Sequence, residues 1–207
     1  MKQNRENPFF ETYRTPFGTP PFDQIETEQY EPAFDEGIWQ LDEEVRAIAD
    51  NTELPTFENT IIALERSGKL LDKVISAFFN VLNAEADDEM MDISQRVSPK
   101  LSESSNNIYL NEQLFARVKS VYDQKEELHL PTEDARLLEK TFEAFCARGA
   151  ALGPEEKEKY RKLSSELSLL SLTFDQNALK DKNRYELLLT KEDELEGLPE
   201  SIREAAA

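Results

Sequence analysis

The chain has one histidine, His129, and one cysteine, Cys146, so most metal and nucleophile chemistry can be decided by count. An H-E-x-x-H zinc site places two histidines one helical turn apart, with the glutamate activating a water. A single histidine cannot build it. Zinc sites of four cysteines, or of mixed cysteine and histidine, are excluded in the same way. A Ser-His-Asp triad would have to use His129, and no serine lies in a strand–turn–helix elbow. No G-x-G-x-x-G or P-loop spacing occurs among the six glycines. Carboxylates remain, at Glu43–Glu44, Asp87–Asp88 and Glu155–Glu156. General acid–base work needs two carboxyls converging on one site, and neighbours on a helix point apart. These pairs read as solvated faces and N-terminal charges. His129 reads as a loop histidine near the surface, Cys146 as a small hydrophobe on an apolar stripe, and Trp39 as a packing residue at the core edge. The residues assign no catalytic and no metal-ligating position, and substrate-contacting residues stay unassigned.

The elements that would position any site are helical. Tyr30, Phe34, Ile38, Leu41, Val45 and Ile48 recur at steps of three and four, which predicts a helix over residues 27–49 capped by Thr27. Thr56 caps a second helix with Phe57, Ile61, Leu64, Leu71, Val74, Phe78 and Leu82 inward, and Gly68 marks close approach of a neighbour. A third helix starts at Asp87 or Asp88. Pro99 predicts a kink or break in it, because proline removes one backbone bond and clashes with the preceding turn. Asn111 caps a fourth, with Leu114, Val118 and Val121 inward. A fifth begins at Pro131–Thr132 and carries Leu137, Leu138, Phe142 and Phe145. The sixth runs over 154–179, with Tyr160, Leu163, Leu167, Leu170 and Phe174 as a stripe contacted by neighbours. Ser164, Ser165, Ser168 and Ser171 are small enough for close packing. Tyr185–Leu189 reads as a short strand or a final turn, with the extended form preferred, and a last short helix starts at Pro199.

The first residues behave differently. Pro8, Pro16, Pro20 and Pro21 bias residues 7–22 away from helix. Phe9, Phe10, Phe17 and Phe22 each gain about 1.5–3 kcal/mol if fully buried, so the arm is expected to lie across the body. The fold class is therefore all-α: an antiparallel bundle of about six long helices over residues 27–207, preceded by an extended Pro/Phe-rich arm over residues 1–26. No internal repeat or low-complexity linker divides it.

Acidic residues outnumber basic ones by 43 to 24, a net charge of −19. That field repels phosphate backbones and anionic lipid, so nucleic acid and membrane are not expected partners. One cysteine allows no internal disulfide and fits a reducing compartment. The start, MKQNRENPFF, lacks the apolar core of a signal peptide. Cytoplasmic location is the expectation, with the periplasm open if a leader preceded these residues.

Three stretches carry a resemblance: FDQI with YEPAFDEG over 22–37, FENTIIALERSGKLL over 57–71, and IYLNEQLFARVKSVYDQ over 108–124. Their wording and order resemble the opening of the thimet oligopeptidase family of zinc metallopeptidases, in its dipeptidyl carboxypeptidase branch, with oligopeptidase A the near relative. The resemblance implies a parent enzyme with zinc as cofactor, acting on short peptides from whose C-termini it removes dipeptides. It also implies a clam-like pair of helical halves around a channel. This chain would be a wall of that channel, its partner the catalytic half that carries the zinc motif, and the chain alone would be inactive with no cofactor of its own. The residues taken without the resemblance describe an acidic helical interaction or adaptor module.

Overall fold

The computed structural model describes residues 7–85, 87–189 and 191–206. Seven α-helices of at least seven residues follow one another: α1 (Tyr30–Ala49), α2 (Lys69–Glu85), α3 (Asp88–Tyr109), α4 (Glu112–Asp123), α5 (Thr132–Ala147), α6 (Pro154–Arg184) and α7 (Glu200–Ala206). No strand occurs among the described residues, and Tyr185–Leu189 is irregular chain. The expected strand there is corrected: among the described residues no extended segment pairs with these.

Most starts follow short-range chemistry. Asp87 accepts the Met90 N–H at 2.8 Å and Asn111 accepts that of Leu114 at 2.9 Å, as N-cap oxygens do. Thr56 and Asn59 close a reciprocal capping box. Thr27 is not a cap. It lies in a 3₁₀ turn, Thr27–Gln29, ahead of α1, and the box sits one residue earlier, where the Glu26 N–H donates to Gln29 Oε1 at 2.9 Å.

The second expected helix is two elements. A π-helical turn, Phe57–Ile62, runs into Ala63–Glu65, and α2 begins at Lys69. Gly68 separates them at φ +74°, a conformation open to glycine at little cost. Its N–H donates to Glu44 Oε2 at 2.8 Å, and a Cβ there would meet Leu41 at 3.1 Å. Pro99 does not break α3, which continues through it. Ile93 and Val97 are buried on one side of the proline and Ser104 and Asn106 on the other, so packing holds both halves in register.

The chain divides into two compact units, one ending at Leu172 and the other starting at Thr173. The first has two cores, and α1 serves both. Its first half gives Tyr30, Ala33 and Phe34 to a cluster with Val74, Phe78 and Ile93. Its second half gives Val45, Ile48 and Ala49 to a cluster with Ile61, Leu114, Val118, Leu138 and Phe145. Edge-to-face aromatic contacts order the first core, Tyr30 to Phe78 at 5.1 Å and Phe34 to Phe78 at 5.3 Å.

Gly37 sets the spacing of α1 and α2. A Cβ there would meet the Leu71 backbone at 3.0–3.1 Å. Gly37→Ala would gain up to ~1 kcal/mol in helix propensity but cost about 1–3 kcal/mol in overpacking against backbone that cannot rotate away. The expected net result is a lower melting temperature, measured by circular dichroism. A higher one would mean that the two helices can separate freely.

The arm is a series of 3₁₀ turns, at Pro8–Phe10, Pro16–Gly18 and Phe22–Gln24. Phe9 is buried and packs on Tyr30 with centroids 5.3 Å apart. Lys73 Nζ donates to the carbonyls of Phe9 at 2.8 Å and Glu11 at 2.6 Å and lies 3.6 Å from the Tyr13 ring centroid. Burial pushes the Tyr13 phenol up to about 12 and lowers the Lys73 ammonium. Phe17 and Phe22 do not cover the body: both are exposed, Phe17 fully. Phe17 sits in the Pro16–Gly18 turn at φ +60°.

The second unit comprises the end of α6, a 3₁₀ turn Glu192–Leu195, and α7. Arg203 ties it together by donating to the carbonyls of Leu195 and Leu198. Tyr185, Leu187, Leu188 and Ile202 are exposed.

Candidate functional site

The groups with chemical potential are dispersed. His129 is exposed in the turn between α4 and α5 at φ +48°. It lines a cleft of about 510 Å³ with Lys125, Glu126, Arg136 and Glu139. Arg136 is paired to Glu139 at 2.6 Å, and Lys125 lies over the Tyr122 ring. Cys146 is exposed, contrary to expectation. Leu138, Phe142 and Phe145 set the inward side of α5, and Cys146 falls one step of about 100° beyond Phe145. Trp39 is also more exposed than a core-edge residue, at 58%.

The adjacent carboxylates serve backbone and neighbours. Glu43 pairs with Arg46 and Glu44 with the Gly68 N–H. Asp87 caps α3, and Glu156 accepts the Gly153 N–H at 3.0 Å. Among the described residues no group of three or more His, Cys, Asp and Glu is placed to hold a metal ion. The donor set of the described residues therefore does not fit the zinc that the resemblance implies.

Two features were not legible beforehand. The first is a cleft of about 420 Å³ between α3 and α6, with Arg148 at its edge. Ser98, Ser102 and Ser105 reach it from α3, and Ser164 and Ser168 from α6. Asn106, itself buried, donates to Ser164 Oγ at 2.9 Å and bridges the helices. The Arg148 guanidinium stacks 4.1 Å from the Tyr109 ring centroid and donates to Ser105 Oγ at 3.3 Å. No carboxylate lines this cleft. The signal was the spacing of serines at three and four in both stretches.

The second is the orientation of α6. Its buried and half-buried positions up to the end of the first unit are Lys157, Tyr160, Arg161, Ser164, Ser165, Ser168 and, as the one leucine, Leu172. Lys157 is buried and pairs with Glu112 at 3.0 Å, and Arg161 donates to Asn107 Oδ1 at 2.9 Å. The polar side of the helix thus lies on the body. Leu163, Leu167 and Leu170 face out, at 55%, 64% and 61% exposure, and Phe174 is likewise exposed. The expected stripe exists, but no neighbour covers those leucines among the described residues.

One buried cation is structural. Arg117 Nη1 donates to the carbonyls of Asn51 at 2.7 Å and Glu53 at 2.9 Å, and Nη2 to Asn59 Oδ1 at 3.0 Å. It clamps the loop after α1 onto α4.

No family model matches the chain. It is 40% identical over 194 residues to the dipeptidyl carboxypeptidase of Escherichia coli (strain K12), covering 94% of this chain and 28% of that protein. This chain is homologous to the dipeptidyl carboxypeptidases. The homologue from Salmonella typhimurium is 39% identical over 84% of the chain and 25% of its own length. Oligopeptidase A of Escherichia coli is 26% identical over 93% of the chain and 28% of its own length. The chain therefore spans little more than a quarter of the curated relatives it matches. No helix among the described residues is long and apolar enough to cross a membrane.

Proposed function

We propose that this chain is the N-terminal helical region of a zinc metallopeptidase that removes C-terminal dipeptides from short peptides, and that it forms a wall of the substrate channel. The observation that carries the reading is the 40% identity to a dipeptidyl carboxypeptidase along 94% of the chain. The lower identity to oligopeptidase A, 26%, favours dipeptide release over general oligopeptide cleavage. In this reading the zinc belongs to the rest of the protein, because one exposed histidine cannot hold it. The chain's own contribution is shape: helices that exclude folded proteins and admit peptides. The working compartment is the cytoplasm.

The outward leucines of α6 support a covered surface, since exposed apolar patches of this kind mark interaction sites. The alternative, a stand-alone acidic adaptor, would use the same surface. The reading frame around codon 207 separates the two. Continuation into a segment with H-E-x-x-H is expected, and a stop codon there, or several hundred residues without the motif, would contradict the peptidase reading.

Uncovered leucines also predict salt-dependent association of the chain by itself. At low salt the net charge of −19 keeps copies apart, and at 1 M salt the Debye length falls to about 3 Å. Sedimentation should show a monomer or weak dimer at low salt and larger species at high salt. A compact monomer at both would argue against an apolar interface.

A further inference from the structure

The cleft between α3 and α6 is unlike the rest of this molecule in charge. Acidic residues outnumber basic ones by 43 to 24 in the chain, yet the cleft is lined by one cation, Arg148, and no carboxylate. The other polar groups include serine hydroxyls from two helices, the buried Asn106 amide, and the phenols of Tyr109 and Tyr160. Phe79 and Leu101 supply an apolar patch. Its volume, about 420 Å³, lies at the small end of ligand clefts.

Arg148 is positioned for recognition. Stacking on Tyr109 and the bond to Ser105 hold the planar guanidinium at the cleft edge. Among the described residues it pairs with no carboxylate, whereas Arg46, Arg66, Arg96 and Arg136 each pair with a glutamate. Asn106 and Ser164 are fixed by hydrogen bonds to each other, so the polar floor is preorganised. A held guanidinium with convergent hydroxyls and no competing carboxylate suits a planar anion, and a carboxylate accepts two parallel N–H bonds from it.

We infer that this cleft binds a small carboxylate-bearing ligand, the free C-terminal end of a short peptide or a small carboxylic acid, with Arg148 as its counter-charge. The inference rests on the cleft alone and stands whether or not the chain belongs to a peptidase. Binding needs no metal and no bond is made or broken.

The test is titration of the isotope-labelled 207-residue chain with alanyl-alanine, with its C-terminal amide, and with acetate, followed by amide resonances. Saturable shifts confined to residues around Ser105, Arg148 and Ser164 are expected with alanyl-alanine. They should weaken ~tenfold or more with the amide, as loss of a charge-assisted pair implies. Acetate producing the same shifts at comparable concentration assigns the site to a free acid. Acetate binding far more weakly assigns it to a peptide end. Arg148→Gln should abolish the shifts, and Arg148→Lys should retain part of them. Equal binding of the amide, unchanged binding by Arg148→Gln, or no saturable shift with any probe would overturn the inference. The amide comparison uses the unaltered chain, so it does not depend on how the variants fold.

Discussion

Replacing Phe9 with Ala lowers stability by about 3–5 kcal/mol, the usual cost of a buried phenylalanine. The same change at Phe17 shifts it by no more than about 0.5 kcal/mol. Phe9 is 1% exposed and belongs to the first core, against Tyr30. Its loss leaves a cavity where the arm enters that core, beside the partly buried Phe10 and Ile25. The backbone around it is tethered by Lys73 through the Phe9 and Glu11 carbonyls, so the site cannot collapse freely. If the arm does detach, the Lys73 contacts are lost with it and the cost stays high. For a chain of this size 3–5 kcal/mol corresponds to a melting temperature lower by roughly 10 °C. Phe17 touches nothing that burial could stabilise, since it is fully exposed. Thermal melts of the two single variants make the comparison. Equal effects would mean that the arm is anchored elsewhere.

Replacing Arg117 with Ala costs about 2–4 kcal/mol, because each buried polar group left unpaired costs about 1–3 kcal/mol. The guanidinium is 7% exposed and forks across Asn51, Glu53 and Asn59, without a carboxylate. Burying an arginine without a counter-ion is itself unfavourable, which brings the estimate below that for a buried ion pair. Water can reach the Glu53 end of the loop, an exposed residue, and lowers it further. What remains is the Asn59 and Thr60 side. Arg117→Lys should recover less than half, since an ammonium cannot reach oxygens on both sides of the loop as a planar fork does. Chemical denaturation of the three proteins gives the order. Full recovery by lysine would show that charge alone, not the fork, holds the loop.

The parts of this fold that sequence disclosed are those governed by neighbours in the chain. Asp87, Asn111 and Thr56 could be read as caps because an N-cap oxygen needs only the N–H groups two or three residues on. The inward residues of α4, Leu114, Val118 and Val121, could be read from period because both sides of that helix differ sharply. α6 could not. Its leucine stripe is as periodic as any other, but period does not say which side meets the body, and here the lysine, tyrosine and serines do. That Pro99 leaves α3 unbroken has a related reason: its local cost of about 3 kcal/mol is set against burial on both sides that only tertiary contacts reveal. The cleft beside Arg148 was invisible because it joins residues more than fifty positions apart. The resemblance came from wording rather than packing, and identity along the chain bears it out.

The central claim is that this chain shapes access to a reaction whose chemistry lies elsewhere. Its most direct test is to incubate the purified 207-residue chain with added zinc and a short peptide with a free C-terminus, and to look for released dipeptide by mass spectrometry. No release is expected, with or without a chelator. Release of dipeptides that stops when zinc is chelated would contradict it.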